Sequence, residues 1–482
     1  MLKSFYFHDY ETFGANPSLD WPAQFAGIRT DAELNEIGEP LNIFCRLPED
    51  HLPNPEACLI TGLTPQAVNA QGIVEPEFIQ RIHRELMEPG TCALGYNTLR
   101  FDDEVTRNIL YRNFYDPYAR EWQNGNSRWD LVDLVRMVAA LRPEGIQWPK
   151  REDGFTSFKL EHLTKANGLD HGSAHDALSD VRATIALARL IRQKQPKVYQ
   201  FYLANRGKRE VAGLLNTAQR NMVVHVSGMF GAQRNNLAIV MPLVDHPLNR
   251  NGVVVYDLSI DPEPLLNLSA DDIRSRLYTP TDQLPGGEQR IPLKTIHLNK
   301  CPVVAPLKVL KPEDQDRLEI DLATCERNRQ RLIDDPGLSA KLRDVVSQRP
   351  EGGQTDPDQM IYSGGFFSPA DRDEMNRIHG VKPEALSDLG LYFQDKRLEE
   401  MLFRYRGRHF SETLDEDERV RWNQYCRERL SGQLHQSNES VLTYERFWQI
   451  WEEKSQSEDV QQSTSKIELL KHLAEYVKGL QP

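Results

Sequence analysis

Two carboxylates stand two residues apart, Asp9 and Glu11, in the aromatic run Ser4-Phe5-Tyr6-Phe7-His8-Asp9-Tyr10-Glu11-Thr12-Phe13, and they constrain the fold more than any other feature of the chain. Such a run predicts a central β-strand. A strand sends residues i and i+2 to one face, roughly 6–7 Å apart, so the two acids sit side by side and repel. Without a cation, one of such a pair tends to hold a proton. An exposed edge strand with solvated acids would also accept them, but Phe5, Phe7, Tyr10 and Phe13 favour burial.

Two further acidic stretches follow: Asn97-Thr98-Leu99-Arg100-Phe101-Asp102 and His175-Asp176-Ala177-Leu178-Ser179-Asp180. Asp102 opens a predicted helix, where a plain N-cap role competes with a catalytic one, and Asp103 and Glu104 suit the first turn of that helix. His175 and Asp180 are five apart. On one helix they would point about 140° away from each other, so they share a site only if His175 precedes the helix. An exposed histidine near a helix start is the plainer alternative. The conjunction decides: Asp9, Glu11, Asp102 and Asp180 plus one histidine form a set able to hold hard divalent cations around a phosphate and to activate water.

At 482 residues the chain has room for about three domains of roughly 150 residues. Residues 1–195 read as an α/β layer, with strands at 4–12, 41–47 and 91–96 and helices at 75–87, 103–113, 130–141, 157–167 and 174–193. Pro196 marks a boundary. A short helix is expected at 198–205. Short β-like runs at 222–227, 237–242, 252–258 and 293–297 then predict a small barrel or sandwich, followed by helical, charged sequence at 312–349. Residues 349–357 are rich in turn formers and read as a linker. Helices are expected beyond it at 395–405, 415–430, 443–454 and 466–480, with a polar loop at 455–465.

The acidic set resembles the DEDD exonuclease superfamily, in the subclass with a histidine five residues before the last aspartate. Residues 61–64 look like a turn of that superfamily. Residues 7–14, 100–108, 111–118, 160–168, 225–232 and 299–303 narrow the resemblance to the bacterial exonuclease I family over nearly the whole chain. It implies an RNase H-like exonuclease domain (1–195), an SH3-like β-barrel domain with helices (196–349) and an all-α C-terminal domain (353–482). The implied activity is processive 3′→5′ hydrolysis of single-stranded DNA to 5′-mononucleotides, in repair and recombination. Asp9, Glu11 and Asp180 would hold two Mg²⁺, with Mn²⁺ a possible substitute. Asp102 would act directly or through water, and His175 would be the general base, its ordinary pKa of about 6.5 suiting that task.

The resemblance also implies substrate contacts. Glu11 would meet the terminal 3′-hydroxyl, Phe13 would wedge against the terminal base, and Arg107 and Arg136 would touch phosphate. Position 159, usually Arg in the family, is Lys159 here, which keeps the charge and loses the bidentate fork. Between 111 and 129, Tyr115, Tyr118, Trp122 and Trp129 alternate with Arg112, Arg120 and Arg128. Such a tract can stack bases and follow a backbone, or its rings can simply be core. Arg142, Lys308, Lys311 and Arg317 are candidates for holding the acidic C-terminal tail of single-stranded-DNA-binding protein. A monomer is expected.

The net charge of −13 does not exclude a nucleic-acid partner, because binding depends on where the cations sit. Six scattered cysteines without a C-x-x-C pair indicate a reducing cytoplasm rather than zinc or disulfides. No apolar run approaches the roughly 18 residues of a membrane span, and an acidic motif so near Met1 leaves no room for a signal peptide. An RNA exonuclease or a proofreading subunit of the same superfamily would be smaller. A non-catalytic strand-binding scaffold would not need the intact acidic set.

Overall fold

The computed structural model describes residues 2–169, 172, 175–348, 354–435 and 440–480; residues 349–353 of the expected linker lie outside them. The chain divides into two compact units that cut across its order. The first comprises Met1–Ser127, His171–Arg182 and Gly352–Pro482; the second comprises Arg128–Asp170 and Ala183–Glu351.

In the first unit, β1 (Ser4–Thr12) runs antiparallel to β2 (Pro22–Thr30), β2 antiparallel to β3 (Leu41–Phe44), and β1 parallel to β4 (Thr91–Leu94). With β5 (Ser127–Arg128) the sheet order is β3-β2-β1-β4-β5, so the acidic strand is central, as its composition predicts. Three helices link β3 to β4: α1 (Pro55–Thr61), α2 (Pro65–Gln71) and α3 (Glu75–Leu86). The expected turn at 61–64 joins the first two. Gly62 closes α1 in the left-handed region at φ 73°, and Thr64 caps α2 by accepting the N–H of Ala67. α4 (Asp102–Arg112) follows β4.

The helical C-terminal segment completes this unit. Tyr6, Tyr10, Phe13, Phe25, Phe78 and Ile82 share one apolar cluster with Leu430, Phe447, Leu470, Leu473 and Val477. The helices Lys396–His409, Glu416–Leu430, Tyr444–Ser455 and Thr464–Leu480 fall close to expectation. The expected loop at 455–465 instead holds a short helix, Glu458–Gln461, anchored by the buried Val460, which periodicity over four residues cannot reveal.

The second unit contains α5 (Leu131–Leu141), α6 (Leu160–Ala166) and most of α7 (Ala177–Lys194). Its sheet is antiparallel, in the order β10-β6-β7-β8-β9: β6 (Val223–Val226), β7 (Leu237–Asp245), β8 (Gly252–Asp257), β9 (Leu293–His297) and β10 (Val303–Pro306). Val240, Val253, Val255, Ile296 and Val304 form its core. Among the described residues, no helix is long and apolar enough to cross a membrane, and all six cysteines are free thiols.

Candidate active site

On β1, Asp9 and Glu11 share a face with Phe5 and Phe7, while Tyr6, His8 and Tyr10 take the other. The β1–β2 register shifts between Glu11 and Thr12. A one-residue irregularity exchanges the faces of a strand, and Phe13 accordingly lies in the core beside Tyr6 and Tyr10, 1% exposed. The wedge role expected for Phe13 is therefore corrected: its ring faces the core.

Asp102 is the first residue of α4, and the capping position falls to Phe101. Asp102 Oδ1 instead accepts the backbone N–H of Tyr10 at 3.0 Å, which ties the start of α4 to the acidic strand. Asn97 takes a left-handed φ of 68° in the preceding turn, a region asparagine tolerates well. Asp103 turns away and pairs with the buried Arg120 at 2.6 Å.

His175 precedes α7, also in the left-handed region at φ 66°. Its N–H donates to Asp180 Oδ2 at 3.2 Å. The helix therefore starts after the histidine, and the two side chains escape the 140° separation. Side-chain ligand atoms of Glu11, His175 and Asp180 lie within 4.8 Å of one another.

The electrostatics match a cation site. Burial, then the charges of Asp102, Glu11, Asp180 and Asp176, hold the Asp9 carboxyl well above its usual range. Burial, then Asp180 and Asp176, push Glu11 up to about 8. Acids arranged this way carry a standing repulsion that a divalent cation relieves, and an oxygen-rich donor set suits hard cations.

Two residues of this site were not singled out from sequence. Asp176 sits beside Asp9 and Glu11 electrostatically, and Gln24 on β2 donates to its Oδ1 at 2.9 Å. The available signal was an aspartate just before a helix start, a common N-cap; Gln24 offered none.

The chain matches three family patterns: Exonuclease over residues 6–188, Exonuclease I SH3-like domain over 206–348 and Exonuclease I C-terminal domain over 355–480. It is 50% identical over 427 residues to Exodeoxyribonuclease I of Escherichia coli (strain K12), covering 88% of this chain and 90% of that one. The chain belongs to the exonuclease I family. Exodeoxyribonuclease I of Haemophilus influenzae is 48% identical over 428 residues, 89% of this chain and 90% of its own. Among solved structures, a moderately thermophilic exonuclease I from Methylocaldum szegediense superposes with a TM-score of 0.94 at 51% identity, covering 99% of both chains. Exonuclease I of E. coli in complex with a dA16 oligonucleotide gives 0.94 at 46%, covering 99% of this chain and 100% of that one. A complex described as SSB/Exonuclease I with the inhibitor CFAM gives 0.90 at 44%, covering all of both chains. As a member of this family the chain is an exodeoxyribonuclease, a phosphodiester hydrolase, with an exonuclease domain, an SH3-like domain and a helical C-terminal domain.

The remaining exonuclease I contact candidates divide sharply. Arg107 is buried and spends its donors on Glu121 at 2.7 and 3.0 Å, Glu104 at 2.6 Å and the Tyr362 hydroxyl at 3.2 Å. Arg112 is buried against Glu75. These arginines brace the fold, because their carboxylate partners consume the fork that a phosphate would need. Tyr115 stacks on His379 at 4.0 Å. Tyr118, by contrast, lines a cavity of about 450 Å³ with Trp122, Phe366, Phe367 and Met375, and Trp122 is 65% exposed.

In the second unit, Arg136 pairs with Asp133 at 2.7 Å, and Trp129 is core, packed on Tyr199 and Tyr202. Lys159 is exposed, 3.6 Å from Glu161. Arg142 and Arg317 converge on the buried Asp314, each at 2.9 Å, with Lys308 and Lys311 exposed nearby in sequence.

Proposed function

We propose that the chain is a magnesium-dependent, processive 3′→5′ exonuclease of single-stranded DNA that releases 5′-mononucleotides in DNA repair and recombination. The convergence of Glu11, His175 and Asp180 beside Asp9 and Asp102 carries this reading.

Asp9, Glu11 and Asp180 would hold two Mg²⁺ ions, with Mn²⁺ a possible substitute. Bound there, the cations supply positive charge to the phosphate oxygens and to the leaving oxygen. His175, exposed and outside the helix, takes the proton of the attacking water. Asp102, held by the Tyr10 N–H, keeps the acidic cluster anionic and α4 in register with β1. Glu11, at the end of the regular strand, meets the terminal 3′-hydroxyl.

Tyr118 and Trp122 offer rings to unpaired bases, each stack worth about 1–3 kcal/mol, and Lys159 offers a point charge to phosphate. Arg107 acts as a brace within the first unit through Glu104 and Glu121, and Arg136 acts as one within the second through Asp133. Arg142, Lys308, Lys311 and Arg317 form the basic surface that takes the acidic tail of single-stranded-DNA-binding protein. The protein works as a cytoplasmic monomer, with functional divisions at 1–195, 196–349 and 353–482. Asp9→Ala abolishes hydrolysis and leaves strand binding in place; unchanged hydrolysis in that variant would refute the metal role.

A further inference from the structure

Gln24 lies directly across from Glu11 in the β1–β2 register and is 2% exposed. Its amide nitrogen donates to Asp176 Oδ1 at 2.9 Å and to Asn42 Oδ1 at 3.0 Å. Its amide oxygen accepts the N–H of Ala177 at 3.4 Å. Asn42, on the neighbouring β3, thus helps to fix which way the amide points.

Asp176 is held from the other side as well. Its Oδ2 accepts the N–H and the hydroxyl of Ser179 at 3.1 and 3.0 Å, which caps α7. Its carbonyl accepts the N–H of Asp180 at 3.0 Å, and Asp180 in turn accepts the N–H of His175. A connected series of hydrogen bonds therefore runs from Gln24, opposite one candidate metal ligand, to Asp180 and His175.

We infer that Gln24 is a positioning residue for hydrolysis: with Asp176 it forms a clip that fixes the junction bearing His175 and Asp180 against the strand bearing Asp9 and Glu11. The inference rests on the catalytic reading above. A buried glutamine is often no more than a satisfied core residue. Here its partner Asp176 caps α7 and offers the carbonyl that holds the N–H of Asp180, so the Gln24 contact ties the strand position opposite Glu11 to the junction that carries His175 and Asp180. Outer groups that orient ligands typically change metal affinity or activity by ~10–100-fold when lost.

The test uses the full chain with Gln24→Ala, the volume-conserving Gln24→Met, Asp176→Ala and the double variant Gln24→Met/Asp176→Ala. The measurements are kcat and KM on a single-stranded oligodeoxynucleotide, the Mg²⁺ concentration giving half-maximal rate, and thermal melting. Gln24→Met is expected to lower kcat by ~10–100-fold and to raise the Mg²⁺ requirement, with KM for the strand and cooperative melting unchanged. The double variant should be no worse than the more impaired single one, because the two side chains act as a unit. Wild-type kcat and Mg²⁺ dependence in Gln24→Met, additive losses in the double variant, or loss of cooperative melting in Gln24→Met would each overturn the inference. Asp9→Ala run in parallel separates the two claims. An active Asp9→Ala protein defeats the catalytic reading itself, whereas an inactive one beside a fully active Gln24→Met defeats only the clip.

Discussion

The N–H of Tyr10 donates to Asp102 Oδ1 at 3.0 Å, so the main chain between the two strand acids is bonded to the third acid, 92 residues away. Asp102 thereby has two separable roles, an acceptor for β1 and a charge facing Asp9. Asp102→Ala removes both, and losing a buried bond to a charged group costs about 1.5–3 kcal/mol. Asp102→Asn keeps an oxygen for Tyr10 and removes the charge. Urea unfolding should show the first variant destabilised and the second at or above wild type. Both should hydrolyse DNA at least ~10–100-fold more slowly.

Glu11, held up at about 8 by burial and by Asp180 and Asp176, is largely protonated at neutral pH without metal. A carboxyl with a raised folded value binds more protons folded than unfolded, so its contribution to stability falls as pH rises from about 4.5 to about 8. Cation binding needs the ionised form and so expels a proton in that window. Calorimetric titration with Mg²⁺ at pH 7 in buffers of different ionisation enthalpy should show proton release. The release should shrink above pH 8, and apparent affinity should climb until then.

Arg107 braces Glu104, Glu121 and Tyr362. Removing one partner of a buried ion pair costs about 3–5 kcal/mol. Arg107→Ala should therefore lose that much stability in urea unfolding, and Glu121→Gln should recover part of it by removing the unpaired charge. A phosphate contact would instead lower strand affinity at unchanged stability.

Asp50 is fully buried between His51 at 2.9 Å and Arg408 at 2.8 Å. Arg429 donates to His51 Nε2 at 3.0 Å, which holds the ring neutral, and burial lowers its pKa to about 3. The unfolded histidine takes a proton near 6.5 and the folded one does not, so this contribution to stability is lost as pH falls from about 6.5 towards about 3. Asp50 itself, held well below its usual range chiefly by Arg408 against the cost of burial, loses its contribution at still lower pH. Asp50→Ala should cost about 3–5 kcal/mol at pH 7. His51→Gln should flatten the acid limb of a stability-versus-pH curve between pH 6 and pH 4, a window set by the histidine's shift.

Much of the site was legible because it is local. Asp9 and Glu11 announce a shared face through the two-residue period of a strand, and His175 through Asp180 fits one helix start. What escaped depends on contacts far apart in sequence. The register shift after Glu11 that buries Phe13 is set by pairing with Pro22 on β2, and β2 itself went unseen because, buried on both faces, it lacks the alternation of polar and apolar residues. Arg112 and Arg120 read as cations free for a strand, yet Glu75 and Asp103 neutralise them at the core. Similarly, nothing in the order of the chain says that Leu470 and Leu473 pack beside Tyr6 and Tyr10.

End-dependent, metal-requiring hydrolysis at the Asp9, Glu11 and Asp180 cluster is checked by incubating 3′-labelled and 5′-labelled single strands with the purified protein, with and without Mg²⁺. Labelled mononucleotide should leave the 3′-labelled strand at once and the 5′-labelled strand only at the end of digestion, both only with Mg²⁺. Early release of the 5′ label, or release of equal extent after chelation, would contradict hydrolysis of that kind.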